Sequence, residues 1–372
     1  MAGAAEKTVP APMPPADRPA QSLRLLERDL DALPELRSTL QAIYERHKNE
    51  GCVSRGTRNI APNLFIDSRR RGYFNYSRSG RLILVYAYTG PKAHFGEVAA
   101  EMQQYCVEKS FQLNFFIDEV LESIGDTPYS STPFGALQRI LDLKHFTLEG
   151  GAMRRLRYLV GKFEKTGACR TVEYACGSDP ATDRGIAGII DRWCEARTMV
   201  NPLIHIVRQE ILDGSLHPQH RIFLTYLDDV LQNVILISGM SGELNGYLMD
   251  LEFYPPEMPL GGLEYAIVQI IAALVAEGCD MLSLGGTYGC RLETSPHADP
   301  DVDRILDDLH SQKIFNDEGN LQFKNKFRPE NRTIYLCRPK DGGSADNVLD
   351  IIMMIADPEK TQTSDAENHN PP

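Results

Sequence analysis

The sequence has no apolar run long enough to cross a bilayer. Its longest nearly apolar stretch, Ala266–Ala276, is interrupted by Gln269, whereas a spanning helix needs about 18 or more apolar residues. The opening MAGAAEKTVPAPMPPADRPA lacks the apolar centre of a secretory signal. Eight cysteines occur without a single C-x2-C pair, which argues against a zinc ribbon and a disulfide framework and fits a reducing cytoplasm. Positive charge is in deficit: 39 Lys plus Arg face 51 Asp plus Glu, a net charge of −12. A protein that coats DNA needs a broad basic face, so no DNA partner is expected, although local basic patches remain open. What is present is an ordinary globular composition, 42% hydrophobic and 24% charged over 372 residues. At ~150 residues each, that length predicts about two to three domains.

Residues 1–20 carry Pro10, Pro12, Pro14, Pro15 and Pro19 among alanines and read as a disordered lead. Residues 341–372 read as a C-terminal segment that is largely a disordered tail. Within it Val348–Ala356 is apolar, either a last helix or a partner-binding strip. The part between divides by a repeated order of elements. In the first half, Leu23, Leu26, Leu30 and Leu33 predict a helix, followed by strands at Asn63–Asp67, Tyr73–Ser77 and Arg81–Thr89. A helix at Phe95–Lys109 and a strand at Gln112–Ile117 come next. The second half has a helix at Gly185–Arg197, then strands at Arg221–Tyr226, Val230–Ser238 and Gly246–Tyr254. The helix Gly262–Glu277, a strand at Met281–Leu284, the helix Asp301–Gln312 and a strand at Arg332–Arg338 complete it. The turn Gly177-Ser178-Asp179-Pro180 places the boundary, giving 21–178 and 179–340. The fold class is α/β, each half a mixed sheet flanked by helices.

Three basic clusters stand out. In 319–339, Lys324, Lys326 and Arg328 alternate with Phe323 and Phe327; cations hold phosphates and aromatic faces stack on bases, but an amphipathic segment leading into a strand has the same pattern. Arg154 and Arg155 open a helix that also bears Arg157, Lys162 and Lys165, either a phosphate-facing helix or a surface helix with snorkelling side chains. Arg69, Arg70 and Arg71 form the third, in a loop.

Asp250 lies in an otherwise largely apolar strand, where Asp is depleted and costly to bury. Glu252 has the same parity, so alternation places both carboxylates on one sheet face. Glu264 falls in the first turn of the next helix, where the dipole favours an acid. Gly261 and Gly262 start that helix, and Gly285, Gly286 and Gly289 surround Tyr288 at a strand end, where backbone can approach a ligand closely. His297 with Asp299, Asp301 and Asp303 lacks the glycine of a calcium loop; this is a helix start, and no metal is expected.

Four segments, LEGGAMRRLRYLVGKFEKTG, YLMDLEFYPPEMPLGGLEYAI, LSLGGTYGCRL and GNLQFKNKFRPENRTIYLCRP, occur in that order. Together they resemble the catalytic domain of the lysyl- and alanyl-phosphatidylglycerol synthases, the multiple peptide resistance factor family, over roughly 110–340. The resemblance implies two GNAT-like acyltransferase folds in tandem, the second catalytic, moving an amino acid from aminoacyl-tRNA to an amine or hydroxyl. It aligns Asp250, Leu251, Gly261, Glu264, Gly319, Lys324, Lys326, Phe327, Tyr335 and Leu336 with the family pattern. Glu252 and Phe253 replace its methionine and arginine, and Ile334 replaces a second arginine; losing the first puts recognition of an anionic lipid in doubt.

Without a predicted span, the acceptor implied is a small molecule or a carrier-protein-bound intermediate, as in natural-product biosynthesis. The ester is already activated, so no cofactor is required beyond aminoacyl-tRNA as co-substrate. Asp250, with Glu264, is the expected base or orienter. Gly261, Gly262, Gly285 and Tyr288 are expected to line the substrate and oxyanion site. Arg154, Arg155, Lys324, Lys326 and Arg328 are expected to hold tRNA. The alternatives are an N-acyltransferase using acyl-CoA, for which Glu257–Gly262 and Gly90–Gly96 offer only poor pyrophosphate loops, and an inactive tandem-GNAT binding module.

Overall fold

Two parallel strand pairs dictate the architecture, because a parallel pair needs a crossover and the crossover here is a helix in each case. The computed structural model describes residues 21–47, 61, 63–197, 203–216, 220–240, 245–312, 317–341 and 346–356; the predicted lead 1–20 and the end of the tail lie outside them. In the first half, β1 (Leu23–Leu26), β2 (Asn63–Ile66), β3 (Tyr73–Ser79) and β4 (Leu82–Thr89) form an antiparallel meander. Helix α1 (Pro34–His47) separates β1 from β2, and α2 (Phe95–Lys109) carries the chain to β5 (Gln112–Ile117), parallel to β4. The second half repeats this with β8 (Cys169–Tyr174), β9 (His220–Leu227), β10 (Val230–Met240) and β11 (Gly246–Phe253). Helices α4 (Pro180–Glu195) and α5 (Leu203–Leu212) lie between β8 and β9. Helix α6 (Gly262–Ala276) leads to β12 (Met281–Tyr288), parallel to β11.

The remaining long strands are exchanged. β7 (Thr127–Leu141), which follows β5 in the chain, lies beside β12, while β13 (Glu330–Pro339), which follows β12, lies beside β5. The two-residue β6 (Ser123–Ile124) folds onto the start of β7. The sheet therefore reads β1-β2-β3-β4-β5-β13-β7-β12-β11-β10-β9-β8, the same from either edge. Sequence alternation did not reveal this exchange: β8 pairs with β9, and β13 with β5.

Helices cover both faces. On one, α2 packs over β3 to β5, while α3 (Arg154–Glu164) and α6 pack over β9 to β12. On the other lie α1, then α7 (Pro300–Ser311) with α9 (Asp346–Ala356), then α4 with α5. Asp179 caps α4 by accepting from the N–H groups of Ala181 and Thr182, with Pro180 at the first position. Val348, Ile351, Ile352 and Met354 of α9 are buried against α7 and β4, so Val348–Ala356 is a core helix. Leu23–Leu26 is a strand and not the start of a helix, because pairing with β2 overrides the 3.6-residue spacing of its leucines.

Candidate active site

Strands β11 and β12 pair only over Gly246–Leu248 and Met281–Ser283. Beyond those residues they part, and bulges mark the point of separation on each. On β11 the extra residue is Asp250: Leu236 opposes Leu251 while Ile237 opposes Met249. On β12 the register against β7 breaks between Ser283 and Gly286, at Gly285, whose φ is 76°. A bulge bends its strand and re-aims its side chains, so the pair opens into a fork. The first half repeats the device. Its β4–β5 pairing ends at Val85 and Phe115, and the bulge residue on β4 is Tyr86.

The bulge overturns the expectation that Asp250 and Glu252 share a face. Met249 belongs to the core under α6, whereas Leu251 and Phe253 belong to the core under α4 and α5. Alternation has slipped by one residue at Asp250. Its Oδ2 lies 3.8 Å from Nε2 of His220, with both side chains buried, and the same-parity neighbours of His220, Ile222 and Leu224, line the α4/α5 core. Glu252, between Leu251 and Phe253, turns to the opposite face.

There it meets Lys324, from α8 (Asp317–Asn325). The Lys324 ammonium is buried and donates to the Gly286 carbonyl at 2.8 Å. A Cβ on Gly285 would stand 3.8 Å from the same Nζ. Burial pulls the Lys324 pKa down, opposed by the charge of Glu252. Burial also pushes the Glu252 pKa up, opposed by Lys324 and Arg197. Arg197 stacks 3.5 Å over the Trp193 ring and reaches Tyr254 at the end of the strand. Glu264, buried in the first turn of α6, accepts from Lys326 Nζ at 2.6 Å. The Tyr288 ring meets Phe116 at 5.2 Å, and desolvation raises its pKa.

At the fork Lys324 lies beside Gly285 and Gly286 and in the field of Glu252, while Glu264 and Lys326 form their own pair at the start of α6. Glu252 was visible in the sequence through the same signal as Asp250, a carboxylate in an apolar strand; His220 and Arg197 gave no signal. Gly261 and Gly262 have a different duty from the expected oxyanion site. At Gly261, φ is 98° and a Cβ would overlap the Leu159 carbonyl oxygen. The N–H of Gly262 donates to Pro259 O at 3.2 Å. These glycines let α6 dock on α3, and the Gly262 amide is already engaged.

The basic residues separate into three groups. Arg154 and Arg155 are exposed on α3, beside Tyr158, itself 56% exposed. Arg328 donates from Nε and Nη2 to the Ala152 carbonyl at 3.2 and 3.1 Å, tying the end of α8 to the start of α3. Lys324 donates to the Gly286 carbonyl and Lys326 to Glu264, so both ammonium groups have partners within the protein. Phe327 is buried and Phe323 packs on the same core, so neither ring is free to stack on a base. The loop run is also structural: Arg71 pairs with Asp67 at 2.8 Å and with Glu97.

Neither helix-start loop resembles a pyrophosphate cradle. Glu257 is paired with Arg192, and Gly261 is pressed on α3. In the first half Lys92 is held by Glu119. Among the described residues no three His, Cys, Asp or Glu side chains converge as metal ligands would, and no helix is long and apolar enough to cross a membrane.

The family model for the C-terminal region of phosphatidylglycerol lysyltransferase matches residues 61–338. The chain belongs to this family. As a phosphatidylglycerol lysyltransferase C-terminal domain relative, it shares its fold with solved structures of that group. One is the C-terminal domain of a putative lysylphosphatidylglycerol synthetase from Agrobacterium fabrum: 16% identity, 86% of this chain and 95% of that one, TM-score 0.64. Another is the L-PGS of Bacillus licheniformis: 15% identity, 87% and 97% coverage, TM-score 0.65. A conserved protein of unknown function from Bacteroides thetaiotaomicron is similar over 85% of this chain and 98% of its own, at 10% identity and TM-score 0.58. No curated protein sequence matches. The family is one of aminoacyltransferases, and the expected α/β class, mixed sheet flanked by helices, is the one found.

Proposed function

We propose that this protein transfers an aminoacyl group from aminoacyl-tRNA to an amine or hydroxyl of a small-molecule or carrier-bound acceptor, in the cytoplasm and within a biosynthetic pathway. The observation that carries the reading is the fork, where a half-buried carboxyl of raised pKa faces a buried lysine in a member of an aminoacyltransferase family. Both groups suit acyl transfer. Glu252 accepts the proton of the attacking amine or hydroxyl. The new bond forms at the ester carbonyl carbon, and the Lys324 ammonium balances the developing oxyanion. The ester C–O bond then breaks, and the ribose hydroxyl leaves with a proton. Positioning the acceptor against the ester is the remaining contribution.

Asp250, buried beside His220 on the other face, holds the bulge from which Glu252 is aimed and is a positioning residue. Glu264 and Lys326 fix the start of α6 against the end of α8. Arg154 and Arg155 with Tyr158 supply an exposed cationic and aromatic surface for the acceptor stem. The paired Glu257, the paired Lys92 and the occupied space at Gly261 weigh against acyl-CoA as donor. The test is incubation of the protein with tRNA charged with labelled amino acids and a small-molecule extract. Label leaving one aminoacyl-tRNA and entering a new small molecule is expected. Consumption of acetyl-CoA with no loss from any tRNA would replace this reading with acyl-CoA transfer.

A further inference from the structure

The Lys324 ammonium rests on the Gly286 carbonyl at 2.8 Å, and one buried amide bridges the chain neighbours of both partners. That amide is Gln138 of β7, which is fully buried. Its Oε1 accepts from the Thr287 hydroxyl at 2.8 Å, and its Nε2 donates to Asn325 Oδ1 at 3.2 Å. Thr287 follows Gly286 and Asn325 follows Lys324, so these contacts close a ring through Lys324, Gly286, Thr287, Gln138 and Asn325. Asn331, the partner of Gln138 in the β13–β7 register, donates to the same Asn325 oxygen at 3.1 Å.

The place of Gln138 in the sheet is equally specific. Ser283 of β12 opposes Arg139, and Gly286 opposes Leu137, which leaves Gln138 alone opposite Leu284 and Gly285. It is the residue across from the bulge that opens the fork. The other ties of this segment run elsewhere: Lys326 to Glu264 on α6, and Arg328 to Ala152 before α3. Neither contact involves β12. A buried polar group with its partners in place rigidifies its surroundings, and one without them is costly. Resting on the aminoacyl-transfer reading, we propose that Gln138 is a positioning residue. It clamps the end of α8 to the bulge of β12 and so fixes the Lys324 ammonium where the oxyanion develops.

The test compares Gln138→Met, Thr287→Val and Thr287→Ser with the wild type, each as the full chain. Glu252 and Cys290 also act on Lys324 electrostatically, and all three variants leave them in place. Transfer is read as single-turnover loss of label from aminoacyl-tRNA in the presence of the small-molecule extract, and tRNA affinity by filter binding. The setting of Lys324 is read by trace acetylation with acetic anhydride and mass spectrometry. Gln138→Met and Thr287→Val should slow transfer about 10- to 100-fold, the scale of a small misplacement at a reacting centre, with tRNA binding unchanged. Both should speed Lys324 acetylation about tenfold, as hydrogen bonds that keep it buried are lost, while Lys162 on α3 reacts as before. Thr287→Ser keeps the hydroxyl and should match the wild type in rate and acetylation. A folded Gln138→Met protein with the wild-type transfer rate, or with unchanged Lys324 acetylation, would overturn the proposal. So would a Thr287→Ser protein as impaired as Thr287→Val. Should Gln138→Met not fold, the two Thr287 variants decide by the same criteria. No loss of label with the wild type would remove the aminoacyl-transfer reading alone, because Lys324 acetylation still reports whether Gln138 holds the ammonium.

Discussion

Asp250 and Glu252 are two residues apart on one strand, yet they face opposite sides of the sheet, because Asp250 is the extra residue of a bulge. In the proposed mechanism the catalytic weight therefore rests on Glu252 and not on Asp250. Glu252→Gln should lower the transfer rate about 100-fold or more, within the usual range for losing a general base. Asp250→Asn should act more weakly and chiefly on stability. Rates of both variants in single-turnover assays, with circular dichroism as a fold control, decide the point; equal losses would return Asp250 to the chemistry.

The ionisation of Glu252 links pH to both rate and stability. Its pKa is raised above the ordinary 4.5 by burial, so the basic form, and the rate, should grow with pH through a higher value. The same carboxyl binds its proton more tightly folded than unfolded. Its contribution to stability is complete below the unfolded pKa and is lost as pH rises through the folded one. Glu252→Gln should therefore melt above the parent, by a margin that widens from about pH 4 upward, in thermal melts recorded across that range.

The surface and the core of the basic segments should respond differently to mutation. Arg154→Ala with Arg155→Ala should weaken tRNA binding and flatten its salt dependence by about one unit of slope for each phosphate no longer neutralised. Phe327→Ala should instead destabilise the fold by about 3–5 kcal/mol, as expected for a large buried ring. Filter binding at several salt concentrations and urea titrations separate the two.

Gly261→Ala should be among the most damaging small substitutions in the chain. It combines a φ of 98° with a Cβ driven into the Leu159 carbonyl, and a loss of about 2–4 kcal/mol is expected in denaturant titration. Gly262→Ala meets the flexible end of Met258 at 2.8 Å and should cost less.

The buried pair of Arg338 with Asp299, at 2.5 Å, joins β13 to the start of α7. Asp299 also caps α7 through the Asp301 N–H. Arg338→Met leaves that carboxylate without its cation and should cost about 3–5 kcal/mol. Asp299→Asn keeps the capping oxygen and should cost less; the ordering of the two melting temperatures checks the assignment.

Much of the fold was legible in the sequence. Phe95–Lys109 and Gln112–Ile117 have the bounds expected of them, because their periodicity and terminal residues agree with their tertiary setting. The exchange of β7 and β13 was not legible, since pairing partners about two hundred residues apart leave no local pattern. Nor were the bulges. Tyr86 and Asp250 are each the fifth residue of their strand and each the point where pairing breaks, yet one is aromatic and the other acidic. Repetition resides here in backbone geometry, which residue comparison between the halves does not detect. The lysines of the candidate site were found but not their partners, Gly286 and Glu264, because spacing does not tell what a helix end packs against.

Exchange of the central strands also fixes the order in which the protein can assemble during synthesis. The first five strands leave the ribosome early, but the inner edge of β5 waits for Tyr335–Cys337 to emerge. Until then the nascent amino-terminal half presents an uncapped, largely apolar strand edge. Neither half expressed alone would contain its own innermost strand, so dividing the gene between the halves would yield fragments that need each other to fold.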